Sequence, residues 1–183
     1  PVLSTSASVH GEEPCSRAYM SQLSKLIQGP KVRRTDSSRR HRSRKRRALF
    51  LASNGIGMGH VTRLMAIARR LNERVEPVFV TMSQAIEVIQ AYGFPVEYIA
   101  SQRQVGVDLP RWDPWFKEEL EQLIDVYHAD LVDFDRNSPT PGLVGAVAPR
   151  GDCGFVWIRQ AVMGGAASRF ESNSRFFDIV IEP

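Results

Sequence analysis

The 183-residue chain has little cysteine: Cys15 and Cys153 stand alone, with no Cys-x-x-Cys and no paired Cys/His spacing. That excludes a disulfide framework and a structural zinc site, and it points to a reducing, cytoplasmic setting. Long apolar runs are also missing. None approaches the ~18 residues needed to span a bilayer, so no transmembrane segment is expected. The arginines before Ala48-Leu49-Phe50-Leu51-Ala52 only imitate a signal peptide, because the apolar stretch stops at Ser53-Asn54-Gly55. No acids cluster with ligand spacing, so no metal is called for. The chain begins at Pro1 and ends at Pro183 after an apolar strand with no closing helix, which reads as incomplete at both ends.

Charge is present but unevenly spread. The net charge is +4, and Lys31 to Arg47 holds ten of the 24 Lys and Arg against one acid, Asp36. That segment carries +9 and the remainder −5, so any argument from basicity concerns the segment alone. Residues 1–47, rich in Ser and Arg, are expected to form a disordered basic tail. The run from Arg39 to Arg47 is a solvated charge tract in the plain reading; in the functional one it makes weak contact with nucleic acid or anionic membrane lipid, which would place the protein peripherally at the inner membrane face.

From Ala48 the texture changes to short apolar runs alternating with helical patterns, and 43% of the chain is hydrophobic, enough for a core. Strands are expected over Ala48–Ser53, Val78–Thr81, Val96–Ala100, Ala129–Phe134, Phe155–Ile158 and Phe177–Ile181. Helices are expected over His60–Asn72, with Val61, Leu64, Ala68 and Leu71 on one face, over Ser83–Tyr92 with Ser83 as N-cap and Gly93 as stop, over Trp115–Tyr127, and over Pro141–Ala148. Such alternation with buried strands implies an α/β fold, a Rossmann-like open parallel sheet with helices on both faces.

The stretch Asn54-Gly55-Ile56-Gly57-Met58-Gly59-His60 joins the first strand to the first helix. Alternating glycines let backbone turn sharply and approach a ligand, in the crevice where open parallel sheets bind. A Walker loop would need Gly-Lys-Ser/Thr, and Gly59-His60-Val61 excludes it. A dinucleotide fingerprint would need a third glycine where His60 stands and an acid where Thr81-Met82-Ser83 stands, which disfavours a nicotinamide oxidoreductase. An imidazole at the mouth of the loop can instead take a proton from an acceptor hydroxyl.

Ser53 to Leu71 resembles the first loop and helix of glycosyltransferases with the GT-B fold, nearest to the group containing the cell-wall lipid N-acetylglucosaminyltransferase and the macrolide and glucuronosyl transferases. The likeness extends more loosely through Ala129 to Phe134, Val156 to Arg159 and Phe177 to Pro183, covering residues 48–183 as an amino-terminal, acceptor-binding domain. It implies that a carboxy-terminal donor-binding domain is absent from this chain, which alone would be inactive. It implies transfer of a hexose-type sugar from a nucleotide sugar, a substrate and not a cofactor, to a hydroxyl acceptor such as a lipid or natural product. His60 matches the family's loop histidine, with Asp135, or else Asp133, to orient it. Asn54, Gly55, Gly57, Gly59 and Arg63 would form the ligand loop, Arg63 facing a phosphate or carboxylate or simply solvent. Trp112, Trp115 and Phe116 either shape the acceptor site or pack a helix. His41 and His128 receive no role. The alternative is a non-catalytic Rossmann-like module that binds a small ligand or partner chain.

Overall fold

The structure, a computed structural model, describes residues 45–52, 58–71, 73–136, 138–159 and 173–182. The expected tail up to residue 44 and the loop residues Asn54, Gly55 and Gly57 lie outside them. Six strands, β1 (Arg46–Ala52), β2 (Val75–Thr81), β3 (Val96–Tyr98), β4 (Leu131–Asp135), β5 (Gly154–Ile158) and β6 (Ile179–Ile181), form one sheet in the order β3-β2-β1-β4-β5-β6. All the pairings are parallel. Among the described residues five helices accompany them: α1 (Gly59–Leu71), α2 (Ile86–Ala91), α3 (Gln102–Val105), α4 (Leu109–Tyr127) and α5 (Pro141–Val147). This is the doubly wound Rossmann order, whose direction reverses between β1 and β4.

Burial on both faces explains why the strands read as apolar runs rather than as alternating patterns. On one face Leu49, Leu51, Val80, Val132, Phe134, Phe155 and Trp157 meet α4 and α5 through Trp112, Phe116, Leu120, Leu143 and Val147. α1 buries the expected Val61, Leu64, Ala68 and Leu71, together with Met65. The base of its stripe is therefore core, and its polar positions remain for solvent and site.

Several boundaries move, each for a visible reason. β1 begins at Arg46, before the apolar run, because Arg47 is satisfied at the sheet's amino edge: its guanidinium bonds Glu76 and the Tyr127 carbonyl, and its amide donates to Asp130. Ser83 does not cap α2, which starts at Ile86 with Ala85 before it. Instead Thr81 and Ser83 hydroxyls accept from the amides two residues on, a pair of tight turns that delays the helix. Gly93 does end that helix, at φ +80°. α4 starts six residues earlier than its apolar period suggests, since Asp108 caps it by accepting from the Arg111 amide and proline occupies the first turn.

Trp112 and Phe116 stack at 4.7 Å between ring centroids and are buried, whereas Trp115 stays 38% exposed, so two of the three aromatics are core. Cys153 is buried and free, and burial, reinforced by Asp152, pushes its thiol up to about 12 from 9.0. The unfolded chain therefore loses this proton first, and the thiol's contribution to stability is present below pH ~9 and lost as pH rises toward 12. In denaturant titrations across that window, Cys153→Ala should show a flatter alkaline decline than wild type; parallel declines would show that the thiol ionises alike in the folded and unfolded chains.

Candidate active site at the strand-order reversal

The reversal of strand order opens a crevice above the carboxyl ends of β1 and β4, because the connections from these neighbours leave to opposite faces. The elements on either side each place one predicted residue there. His60 is the second residue of α1, and its ring lies in the crevice because it opens the helix just beyond the loop leaving β1. Asp135 is the last residue of β4, in register with Ala52 of β1 and Ile158 of β5. His60 Nδ1 lies 2.9 Å from Asp135 Oδ1. The imidazole is 12% exposed and the carboxylate is fully buried.

A buried carboxylate is an acceptor, so the ring donates from Nδ1 and carries its acceptor nitrogen, Nε2, on the other side. Asp135 is thus not a solvated loop acid or a helix cap. The strand runs on through it because Asp-Phe-Asp alternates, sending Phe134 into the core facing α4 and both acids toward α1. Asp133 is equally buried but sits one pleat deeper, in register with Phe50, and it is Asp135 that meets the ring. Arg63, one turn along α1, also reaches Asp135, with Nη1 3.3 Å from Oδ1. Its guanidinium therefore faces a carboxylate of the protein itself. Asp135 Oδ2 is buried with no partner among the described residues.

Gly59 starts α1, and a side chain added there would meet no atom within 4 Å. Across the crevice, Trp157 at the tip of β5 donates its indole N–H to the Arg136 carbonyl at 2.6 Å, fixing the chain as it leaves β4. Arg136 escaped the sequence reading, since nothing about an arginine after an acid marks it as half-buried. His128 adopts a left-handed conformation, φ 48°, as it closes α4 before β4 begins, at the end of that strand opposite Asp135. Among the described residues no three His, Cys, Asp or Glu gather to hold a metal, and no helix is long and apolar enough to cross a membrane.

No family model and no curated protein matches the sequence. Among solved structures, MurG of Acinetobacter baumannii superposes with a TM-score of 0.59 at 17% identity, covering 75% of this chain and 41% of that one. A Listeria monocytogenes protein described as a UDP-N-acetylglucosamine 2-epimerase gives 0.58 at 13% identity over 76% of this chain and 39% of its own. A glycosyltransferase from Rickettsia africae gives 0.56 at 13% identity over 72% and 34%. The chain spans about two fifths of the length of the first two structures and a third of the last. Taken with the strand order and the crevice, these likenesses give the chain the fold of a Rossmann-like half of a GT-B glycosyltransferase.

Proposed function

We propose that this chain is the acceptor-binding half of a nucleotide-sugar-dependent glycosyltransferase that moves a hexose-type sugar to a hydroxyl. The observation that carries the reading is the 2.9 Å contact between His60 and buried Asp135 at the reversal of strand order. With Nδ1 held by the carboxylate, Nε2 accepts the proton of the acceptor hydroxyl. The hydroxyl oxygen then bonds to the anomeric carbon, while the bond to the nucleoside diphosphate breaks and its electron pair leaves with the phosphate. Asp135 fixes the ring and stabilises the imidazolium that forms. Arg63, one turn further along α1 and on the same carboxylate oxygen, adds a second restraint on its position.

Donor binding is assigned to a second domain of the whole protein, as the resemblance of the glycine loop implies. A half-site cannot position the anomeric carbon or exclude water, so residues 1–183 alone should transfer nothing. Incubation of this chain and of the full-length protein with nucleotide sugars and hydroxyl acceptors, read by release of nucleoside diphosphate, tests both statements. Turnover by residues 1–183 would remove the need for a donor domain. Silence from the full-length protein across donors, with ligand binding intact, would favour a binding module.

A further inference from the structure

At the amino edge of the sheet, the end opposite the His60 crevice, β3 begins level with Phe79, so Val75 to Val78 of β2 have no strand beside them on that side. A groove of 520 Å³ opens there, lined by Arg69, Glu76, Pro77, Tyr92, Phe94 and Pro95. That volume falls within the range of small-ligand sites, ~300–1,000 Å³. The Phe79 amide donates to the Pro95 carbonyl, and two residues earlier the same side of β2 presents Pro77, which has no N–H to offer. An added peptide strand would find no donor at that point, so recognition falls to side chains. Tyr92 is 55% exposed, and Phe94 packs on Phe79 with ring centroids 5.1 Å apart. Arg69 lies over the Tyr92 ring, its guanidinium carbon 5.7 Å from the centroid, and among the described residues no carboxylate pairs with it. The other charges nearby are engaged: Glu76 is held by Arg47 at 2.7 Å, and Arg70 turns back to the Ala66 carbonyl.

We propose that this groove binds a small aromatic carboxylate, with its ring against Tyr92 and Phe94 and its carboxylate on the Arg69 guanidinium. Aromatic rings prefer offset or edge contact with one another, which two ring side chains on one wall supply. The planar fork of arginine pairs with a carboxylate bidentately, and its position over Tyr92 sets the anion site beside the ring site. One unpaired guanidinium matches a single negative charge. A phosphate, at about −1.5 to −2, would keep an excess beside Glu76. The groove touches neither His60 nor Asp135, so the proposal is independent of the transferase reading.

The test is an amide NMR titration of the 183-residue chain with indole-3-acetate, beside indole-3-acetamide, which keeps the ring without the charge, and acetate, which keeps the charge without the ring. Indole-3-acetate should shift the amides of Tyr92, Gly93 and Phe94 saturably, with a Kd of about 1 mM, ordinary for a ligand of this size. The amide should bind about two- to fivefold more weakly, as expected for loss of one exposed ion pair, and acetate should give no saturable shift. Arg69→Gln should abolish the difference between acid and amide. Tyr92→Ala should weaken both by about three- to tenfold. Both side chains are exposed, so neither variant should lower Tm appreciably, and a lost response reads binding and not unfolding. The comparison of acid with amide in wild type needs no variant at all. Shifts absent from wild type, equal affinity for acid and amide, or a response unchanged in Arg69→Gln because it belongs to the arginine run before β1 would each overturn the proposal.

Discussion

On the transferase function proposed above, replacing His60 by alanine in the full-length protein should lower turnover by about 10²–10⁴-fold, the usual contribution of a positioned general base. Donor affinity should stay nearly unchanged if the donor is held by the other domain. The sequence alone suggests that stability would barely move, since the substitution costs little helix propensity. The structure revises that expectation. His60 is mostly buried against a fully buried carboxylate, and its loss strips Asp135 of its shorter contact. Leaving a buried acceptor short of a donor costs about 1–3 kcal/mol. His60→Gln separates the two effects, because its amide can still donate toward Asp135 but cannot take a proton. It should recover stability and not turnover. Asp135→Asn should give a smaller kinetic loss in the same direction. Steady-state kinetics beside melts decide the matter: near-normal turnover by a folded His60→Gln enzyme would falsify the assignment.

The largest expected loss of stability from a small change lies away from the crevice, where α4 and α5 touch. The Gly142 amide donates to Asp113 Oδ2 at 2.6 Å, so a buried acid in α4 caps the first turn of α5. A Cβ on Gly142 would sit 2.5 Å from the Asp113 carbonyl oxygen and 2.7 Å from its carboxylate, too close for either to stay. Overpacking of this kind costs about 1–3 kcal/mol and a hydrogen bond to a charged group about 1.5–3. Gly142→Ala should therefore cost about 3 kcal/mol and lower Tm by about 6–12 °C at this chain length. Gly145, in the same helix, is the control. Its added Cβ would meet only the flexible end of Lys117, at 3.2 Å, and alanine is the better helix former. Gly145→Ala should stay within about 1 kcal/mol of wild type. Equal melts of the two variants would show that the α4–α5 contact yields more easily than its distances imply.

The parts of this fold that could be read from sequence are those where one physical demand dominates. Leu49-Phe50-Leu51 needs burial on both faces, and the spacing of Val61, Leu64, Ala68 and Leu71 needs a helix, so β1, α1 and the histidine between them were legible. The parts that could not be read are those where polar groups are satisfied by distant partners. Arg46 and Arg47 look like tail until Glu76 and Tyr127 are seen to receive the second of them. Asp133 and Asp135 look like loop acids until α1 covers them. The start of α4 was legible in principle: Asp108-Leu109-Pro110 is a helix-start signal, overlooked in favour of the apolar period that begins at Trp115. From sequence Arg63 faces ligand or solvent, whereas in the structure it reaches Asp135, 72 residues away in the chain.

The tip of β4 also constrains how such a gene can change. Because side chains alternate along a strand, removing one codon between Ala129 and Asp135 would exchange the two layers at that tip, turning the acid away from His60 and an arginine toward it. Leu131 to Asp135 is held in register by β1 on one side and β5 on the other, so the slip could not be absorbed without breaking both ladders. Substitutions at the outer helix positions leave this arrangement alone. Natural variation in this segment should therefore accumulate as amino-acid replacement at constant length, while insertions and deletions collect in the connections beyond the strand ends.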